Sequence, residues 1–456
     1  MTTTHAPTRT DRSTSAATPP GAPARRLPWV LGWLGCAIWA ACFPLVSSLS
    51  PQRTWGLVAA VGYTAALAAA ALLPRRQVAR VSAALALLGA VAVPLGIMTA
   101  EGWSQSEVLV VQNSAVQLLH TGTPYLPDPH QVIGYDPYLP AMALFGLPRA
   151  LLGDHGTLPR MAGDPRIWFL AAFAGCLVAS WRLLRTPGAP VRRWGTAVAA
   201  VTASPLVALV AVTGGVDLPL IGCCCLALAL AGRGHAGRAG LVLALACAIK
   251  WTAWPALPVA AVLLLQLYGR RAALRCTAVA LAAAAVLVAP FVLLSPHAVA
   301  EQVIRFPLGM STMRTAAASP LPGHLLAGLG AGGRTADFVL LALGGAAVAG
   351  WVLRRPPRTA LQAADRLAVG VSIAFLLAPA GRFGYLELPA LLLLWPRLAT
   401  ARPVALRLPP DLGSVRIPRP AGRVRPAAVV ARIPQQWAAV SAPWRRVLLR
   451  RSSGLG

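Results

Sequence analysis

Six of the chain's thirteen carboxylates, Glu101, Glu107, Asp128, Asp136, Asp154 and Asp164, fall between residues 99 and 165, a stretch flanked by apolar runs. Acids this scarce and this gathered point to proton transfer or to the binding of a polar ligand. Glu107 is the best placed for chemistry, because it opens a segment with helical spacing. Val108, Val111, Ala115 and Leu118 fall on one face, Gln112, Asn113 and Gln117 on another, and Gly122 and Pro124 end the run. An amphipathic helix between membrane spans lies flat at the membrane surface. A carboxylate there can act as a general base at the boundary of water and lipid. The bland alternative is a capping box: Ser104-Gln105-Ser106-Glu107 fits S-x-x-E, in which the glutamate only serves the helix end. A second amphipathic helix is predicted at about 139–152.

The cations that could face such a base are few. Lys250 is the only lysine among 41 basic residues and lies within apolar sequence. An unpaired ammonium there is expensive, so it snorkels to an interface, pairs with Asp217, or binds a phosphate. Asp217 starts a predicted span, where an acid also suits a helix N-terminus. Arg305, Arg314 and His324 lie in a second loop, 295–335, and Arg382 lies at a turn before the last span, followed by Glu387. Basic residues on the non-cytoplasmic side run against the usual bias, so phosphate binding is one reading of them and solvated loop charge the other. For Arg382 a structural pair with Glu387 is the alternative. No cluster with metal-ligand spacing, phosphate loop or nucleophile elbow is apparent, so the sequence calls for no cofactor and does not ask for a divalent ion.

The elements that must position these residues are membrane helices. The chain has 456 residues, 57% of them hydrophobic, with apolar runs near the ~20 residues that cross a bilayer. No barrel alternation appears, so the fold class is all-α and polytopic. Spans are predicted at 28–48, 55–74, 79–98, 166–184, 196–213, 215–232, two short helices within 239–268 meeting near Lys250–Pro255, then 276–294, 336–353, 366–381 and 384–400. That makes about twelve passes. Arginines at 75–80, 182–193, 233–238 and 270–275 mark cytoplasmic turns and place loops 99–165 and 295–335 outside. Both termini are then cytoplasmic: a polar, disordered arm at 1–27 and a basic Pro/Arg-rich tail at 401–456, around a membrane domain at 28–400. The first apolar run is too long and too far from the start for a cleaved signal. The net charge of +28 therefore reports orientation and contact with an anionic inner leaflet, not nucleic-acid binding. The eight cysteines sit in or beside spans and imply no disulfide framework. Arginine, alanine, glycine and proline dominate as in a GC-rich bacterial genome.

The order Glu107, Gly122-Thr123-Pro124-Tyr125, Tyr135-Asp136-Pro137-Tyr138-Leu139-Pro140 resembles that of the GT-C glycosyltransferases that use polyprenol-phosphate sugars, in particular glycosyltransferase family 87. The resemblance continues at Gly214-Gly215-Val216-Asp217-Leu218 and in the Gly/Leu/Ala helix from Gly240 to Lys250, over roughly residues 100–400. Family members more often carry Asp where this chain has Glu107, and their acidic loop usually follows the first span. The resemblance implies transfer of a hexose, of the mannose type, from a polyprenyl-phosphate donor to a hydroxyl of a glycan or glycolipid at the outer face of the plasma membrane. It implies Glu107 as base and substrate contacts at Tyr125, Tyr135, Asp136, Tyr138, Asp217 and Lys250, to which the charge argument above adds Arg305, Arg314, His324 and Arg382. A transporter or flippase for a lipid-linked or small polar substrate is the alternative, because it would use the broken helix and the membrane lysine. An inactive envelope scaffold is a third reading.

Overall fold

The computed structural model describes residues 26–185, 193–313, 315 and 317–400. The tail at 401–456, and all but the last two residues of the arm at 1–27, lie outside the described residues. Among the described residues the elements are helices, and the one β contact is an isolated bridge between Ala318 and Gly381. The chain is an all-α polytopic membrane protein.

The helices are α1 (Arg26–Val46), α2 (Ser50–Leu72), α3 (Val78–Glu101), α4 (Ser106–Thr121), α5 (Pro140–Leu152), α6 (Pro165–Leu184), α7 (Arg193–Thr202) and α8 (Pro205–Thr213). After them come α9 (Leu218–Gly232), α10 (Ala236–Ile249), α11 (Trp251–Tyr268), α12 (Arg270–Leu294), α13 (Ala331–Arg354), α14 (Ala360–Leu376) and α15 (Glu387–Thr400). A helix stands at each predicted span. Seven of them (α1, α2, α3, α6, α11, α12 and α13) are long and apolar enough to cross a bilayer, and the bent pair α7–α8 makes eight. At 15 and 14 residues, α9 and α10 reach only about 21–23 Å at ~1.5 Å per residue, short of a ~30 Å hydrocarbon core. They are sheltered instead within the central core that Leu220, Leu228, Leu243 and Ile249 help to build.

Two breaks shape the interior. The segment expected as one span at 196–213 bends by 65° between α7 and α8. Pro205 opens α8, where its missing N–H leaves no intrahelical bond unmade but prevents continuation from α7. The Ala203 carbonyl freed at the bend accepts from Tyr63 Oη at 2.6 Å, tying the first three helices to the rest. The second break is the predicted one. Lys250 is extended (φ −156°, ψ 139°), and the tight turn Trp251–Ala253 and Pro255 restart the chain as α11. On the outside, only 11% of the apolar windows of α12 and α13 is buried. Leu274, Val286, Leu293 and Leu343 face outward there, a surface for lipid rather than for water.

The predicted amphipathic helix is α4, with Val108, Val111 and Ala115 fully buried. It packs on α5 so closely that a β-carbon on Gly146 would stand 2.2 Å from the Val111 carbonyl oxygen. Gly146→Ala should therefore displace α4 and destabilise the protein by about 1–3 kcal/mol, the usual range for overpacking. Thermal unfolding in detergent reads this directly, and an unchanged midpoint would mean the contact can relax freely.

Candidate active site

Glu107 lies in the first turn of α4, but it caps nothing. The helix starts at Ser106 with Gln105 as N-cap and no side-chain capping bond, so the S-x-x-E register is not used. The backbone N–H of Gln105 donates instead to Thr213 at the end of α8 (2.8 Å). The Glu107 carboxylate accepts from Arg382 Nη1, a residue 275 positions away. Its side chain is 14% exposed. Gly214 keeps the space open, since a β-carbon there would stand 2.5 Å from Glu107 Oε1.

The next turn supplies Asp217. Gly215 takes φ +84°, a left-handed conformation that glycine adopts without steric penalty, and so brings Asp217 to the start of α9. Asp217 occupies the N-cap position without capping. Its Oδ1 accepts from Lys250 Nζ at 2.6 Å, with the two side chains 15% and 9% exposed. The break after α10 is what delivers Lys250 there. Its ammonium also stands 4.6 Å from the Tyr385 ring centre and 5.7 Å from that of Tyr138, within cation–π range. The Tyr385 N–H donates to the Arg382 carbonyl (3.0 Å), which ties the ring beside Lys250 to the residue that holds Glu107, so the two ion pairs form one cluster. A water-poor surround makes such pairs sensitive: removing one partner strands the other.

Tyr138 is held by a belt of backbone and side-chain bonds. Gly122 ends α4 in a left-handed turn (φ +76°) and the chain then brings in Tyr125, whose hydroxyl donates to the Tyr138 carbonyl (2.9 Å). Asp136 Oδ1 accepts from the Tyr138 N–H (3.0 Å), and Leu139 N–H donates to Ile249, next to Lys250 (3.0 Å). Gln302, fully buried, accepts from Asp136 N–H (2.9 Å) and donates to the Leu126 carbonyl (2.6 Å). Tyr135 stacks on Phe306 with ring centres 4.6 Å apart. Tyr125, Tyr135 and Asp136 are buried in bonds and stacking that support Tyr138, and none of them bonds to the ion-paired side chains.

The second loop does the same work for Arg382. Gly381 N–H donates to Ala317, and Ser319 N–H to Gly381, both at 3.0 Å. His324 Nδ1 hydrogen-bonds the Pro379 carbonyl (2.9 Å). His324 thus braces the turn that carries Arg382 and is not itself in the cluster. Arg305 pairs with Glu301 one helical turn away (3.5 Å) and is half-exposed. Arg314 lies outside the described residues. The expected alternative pair Arg382–Glu387 does not form, because Arg382 is taken by Glu107. Glu387 is left 1% exposed with neither carboxylate oxygen hydrogen-bonded.

The structure therefore brings together Glu107, Tyr138, Asp217, Lys250 and Arg382 of the residues picked from sequence, and adds Tyr385 and Glu387. Among the described residues no three His, Cys, Asp or Glu side chains converge as a metal site. Chemically, the cluster offers a carboxylate held beside a guanidinium and a second carboxylate held beside an ammonium, between two aromatic rings.

Asp136 makes the supporting belt sensitive to pH. Burial pushes its carboxyl up to about 7, against the Tyr138 N–H and the Ser114 hydroxyl, which pull it down. An aspartate in the unfolded chain titrates near ~3.9. The fold thus holds the proton more tightly than the unfolded chain, so this stabilisation is full below about pH 4 and is lost as pH rises through about 7. Amide exchange in residues 122–139 should quicken between pH 5 and pH 8 beyond its intrinsic base dependence. Asp136→Asn should remove the excess; an excess persisting in that variant assigns it to another group.

A family model described as glycosyltransferase family 87 matches residues 137–379. The matched stretch contains Tyr138, Asp217 and Lys250; Arg382, Tyr385 and Glu387 lie just past its end, and Glu107 lies well before its start. No curated protein and no solved structure matches the chain.

Proposed function

Because the chain belongs to glycosyltransferase family 87 and is a membrane glycosyltransferase, we propose that it moves a hexose, with mannose the favoured sugar, from a polyprenyl phosphate to a hydroxyl of a glycan or glycolipid. The observation that carries this reading is the pairing of Glu107 with Arg382 beside Asp217 with Lys250. A phosphodiester donor carries one negative charge and leaves as a phosphate monoester carrying more. Cations fixed where that charge grows stabilise the transition state. Arg382 and Lys250 are the two cations, and their charges are neutralised by Glu107 and Asp217.

Donor binding then exchanges partners. The phosphate settles between Arg382 and Lys250, and Glu107 is released from its guanidinium to face the acceptor. The acceptor oxygen attacks the anomeric carbon, its proton passes to Glu107, and the anomeric C–O bond breaks with its electron pair leaving on the phosphate. Tyr138 and Tyr385 flank the ammonium and supply flat faces for the sugar. The broken helix that made a transporter the runner-up has a use in this reading, since it sets Lys250 against Asp217.

Sidedness is supported by helix direction. The helices α9, α11 and α15 each begin at the cluster and end beside arginines, at Arg233, Arg270 and Arg397. The positive-inside bias favours the cytoplasm for those ends, which supports an outer-face position for the cluster. The test is transfer by purified protein in lipid discs, comparing polyprenyl-phosphate mannose with a nucleotide sugar as donors to a membrane glycolipid extract. Consumption of the lipid donor is expected. Turnover of the nucleotide sugar alone would refute the donor class.

A further inference from the structure

The same three helices that start at the cluster end around a second site. At 15, 18 and 14 residues for α9, α11 and α15, the separation is about 21–27 Å at ~1.5 Å per residue. There, a cavity of about 440 Å³ is lined by Arg233, Tyr268, Arg358 and Thr359, with Leu184, Leu267 and Leu361 among its apolar walls. Its two arginines are in different states. Arg233 is fixed: Nε donates to the Leu183 carbonyl (2.6 Å) and Nη2 to that of Arg185 (3.4 Å), so it closes the end of α6 while lining the cavity. Arg358 is exposed, and its guanidinium has no carboxylate or carbonyl partner among the described residues; only its backbone N–H is used, by Gln362 (2.8 Å).

The walls are set in place as well. Tyr268 donates to the Gly232 carbonyl (3.0 Å), and its ring lies against Gly234, where a β-carbon would stand 2.9 Å from it. Thr359 caps α14 by accepting from Gln362 N–H (3.1 Å), and with Ala360 and Leu361 it puts the start of that helix, an end that favours anions, in the cavity lining. The nearby acid Asp365 is already held by Arg397 through two bonds of 2.5 and 3.1 Å, so it does not neutralise the cavity.

We propose that this cavity is a second, non-catalytic binding site for one phosphate group, that of an anionic phospholipid head group. Two arginines and a helix start take the phosphate, and the leucine walls take the beginning of the acyl chains. A basic pocket between membrane helices on the arginine-rich side is the usual form of such a site. The same chemistry admits a soluble phosphate, so the test has two arms.

The full chain is delipidated, incubated in lipid discs containing phosphatidylglycerol or phosphatidylcholine, and examined by native mass spectrometry with and without inorganic phosphate. One retained phosphatidylglycerol is expected, preferred about tenfold over phosphatidylcholine, and about tenfold weaker in Arg358→Glu, in line with the loss of a charged hydrogen-bonding partner. Retention unaffected by millimolar inorganic phosphate assigns the site to lipid, and displacement assigns it to a soluble phosphate. Equal retention in Arg358→Glu, or no preference between the two lipids, overturns the proposal. Arg358 has no described side-chain bond to lose; if Arg358→Glu nevertheless melts early, Arg358→Gln carries the same comparison.

Discussion

Glu107→Gln should lower kcat for sugar transfer by roughly 10²–10⁴-fold, the range that loss of a positioned general base produces. The amide keeps the shape of the side chain, and its oxygen can still accept from Arg382, so the first turn of α4 and the Gly214 gap that houses it are preserved. What disappears is the ability to take a proton. KM for the donor should not rise, because a neutral amide competes with the phosphate for Arg382 no better than the carboxylate does, while the lost proton transfer is felt in kcat. Glu107→Asp restores the carboxylate one methylene further back and should recover part of the rate. That partial rescue separates a base from a strut. Were Glu107 only the anchor of Arg382, Gln would serve nearly as well as Asp, and both variants would show raised KM with kcat kept. Full activity in Glu107→Gln would remove the base from the mechanism altogether.

The contrast between Glu107 and its partner shows how far sequence reading reached. Periodicity placed α4 and its buried face correctly, because Val108, Val111 and Ala115 repeat at helical spacing and burial follows that repeat. The same local view offered a capping box that the structure does not use. A one-residue difference in where the helix begins removes that box, and the Thr213 carbonyl that engages Gln105 N–H lies over a hundred positions away. Arg382 could be picked as an unusual outer arginine, but its partner could not, since the pair joins α4 to the turn before α15. Proline in apolar sequence announces the break at Lys250, whereas the equally visible Pro205 sits in an apolar run of the length of one span, which hides the 65° bend. The tyrosine-rich stretch is legible as important, but its supporting bonds are not. Asp136, Tyr135 and Tyr125 are buried with bonds to backbone or rings, and Gln302, which knits the two loops, carries no local pattern at all. Tyr385 and Glu387 enter the site only because α15 starts there.

The pair Asp217–Lys250 permits a sharper separation of folding from chemistry. Lys250→Gln leaves Asp217 with its carboxylate buried and its 2.6 Å donor gone, and stranding one member of such a pair costs about 3–5 kcal/mol. The thermal midpoint in detergent should drop accordingly. Adding Asp217→Asn removes the stranded charge, and an amide pair of similar size can share a hydrogen bond across the same gap. The double variant should therefore recover most of the lost stability, since replacing both members of a buried pair is often close to neutral. Transfer activity should not recover with it. Under the partner-exchange mechanism Lys250 is one of two cations that take the donor phosphate, and a neutral amide cannot balance the charge that grows on the leaving group. The double variant is then a folded protein with a raised KM for the polyprenyl donor and a depressed kcat. Recovery of transfer together with stability would mean that the ammonium serves only the fold. In that case Arg382 would be left as the single cation against the phosphate, and the Asp217 turn would belong to the scaffold alongside Asp136.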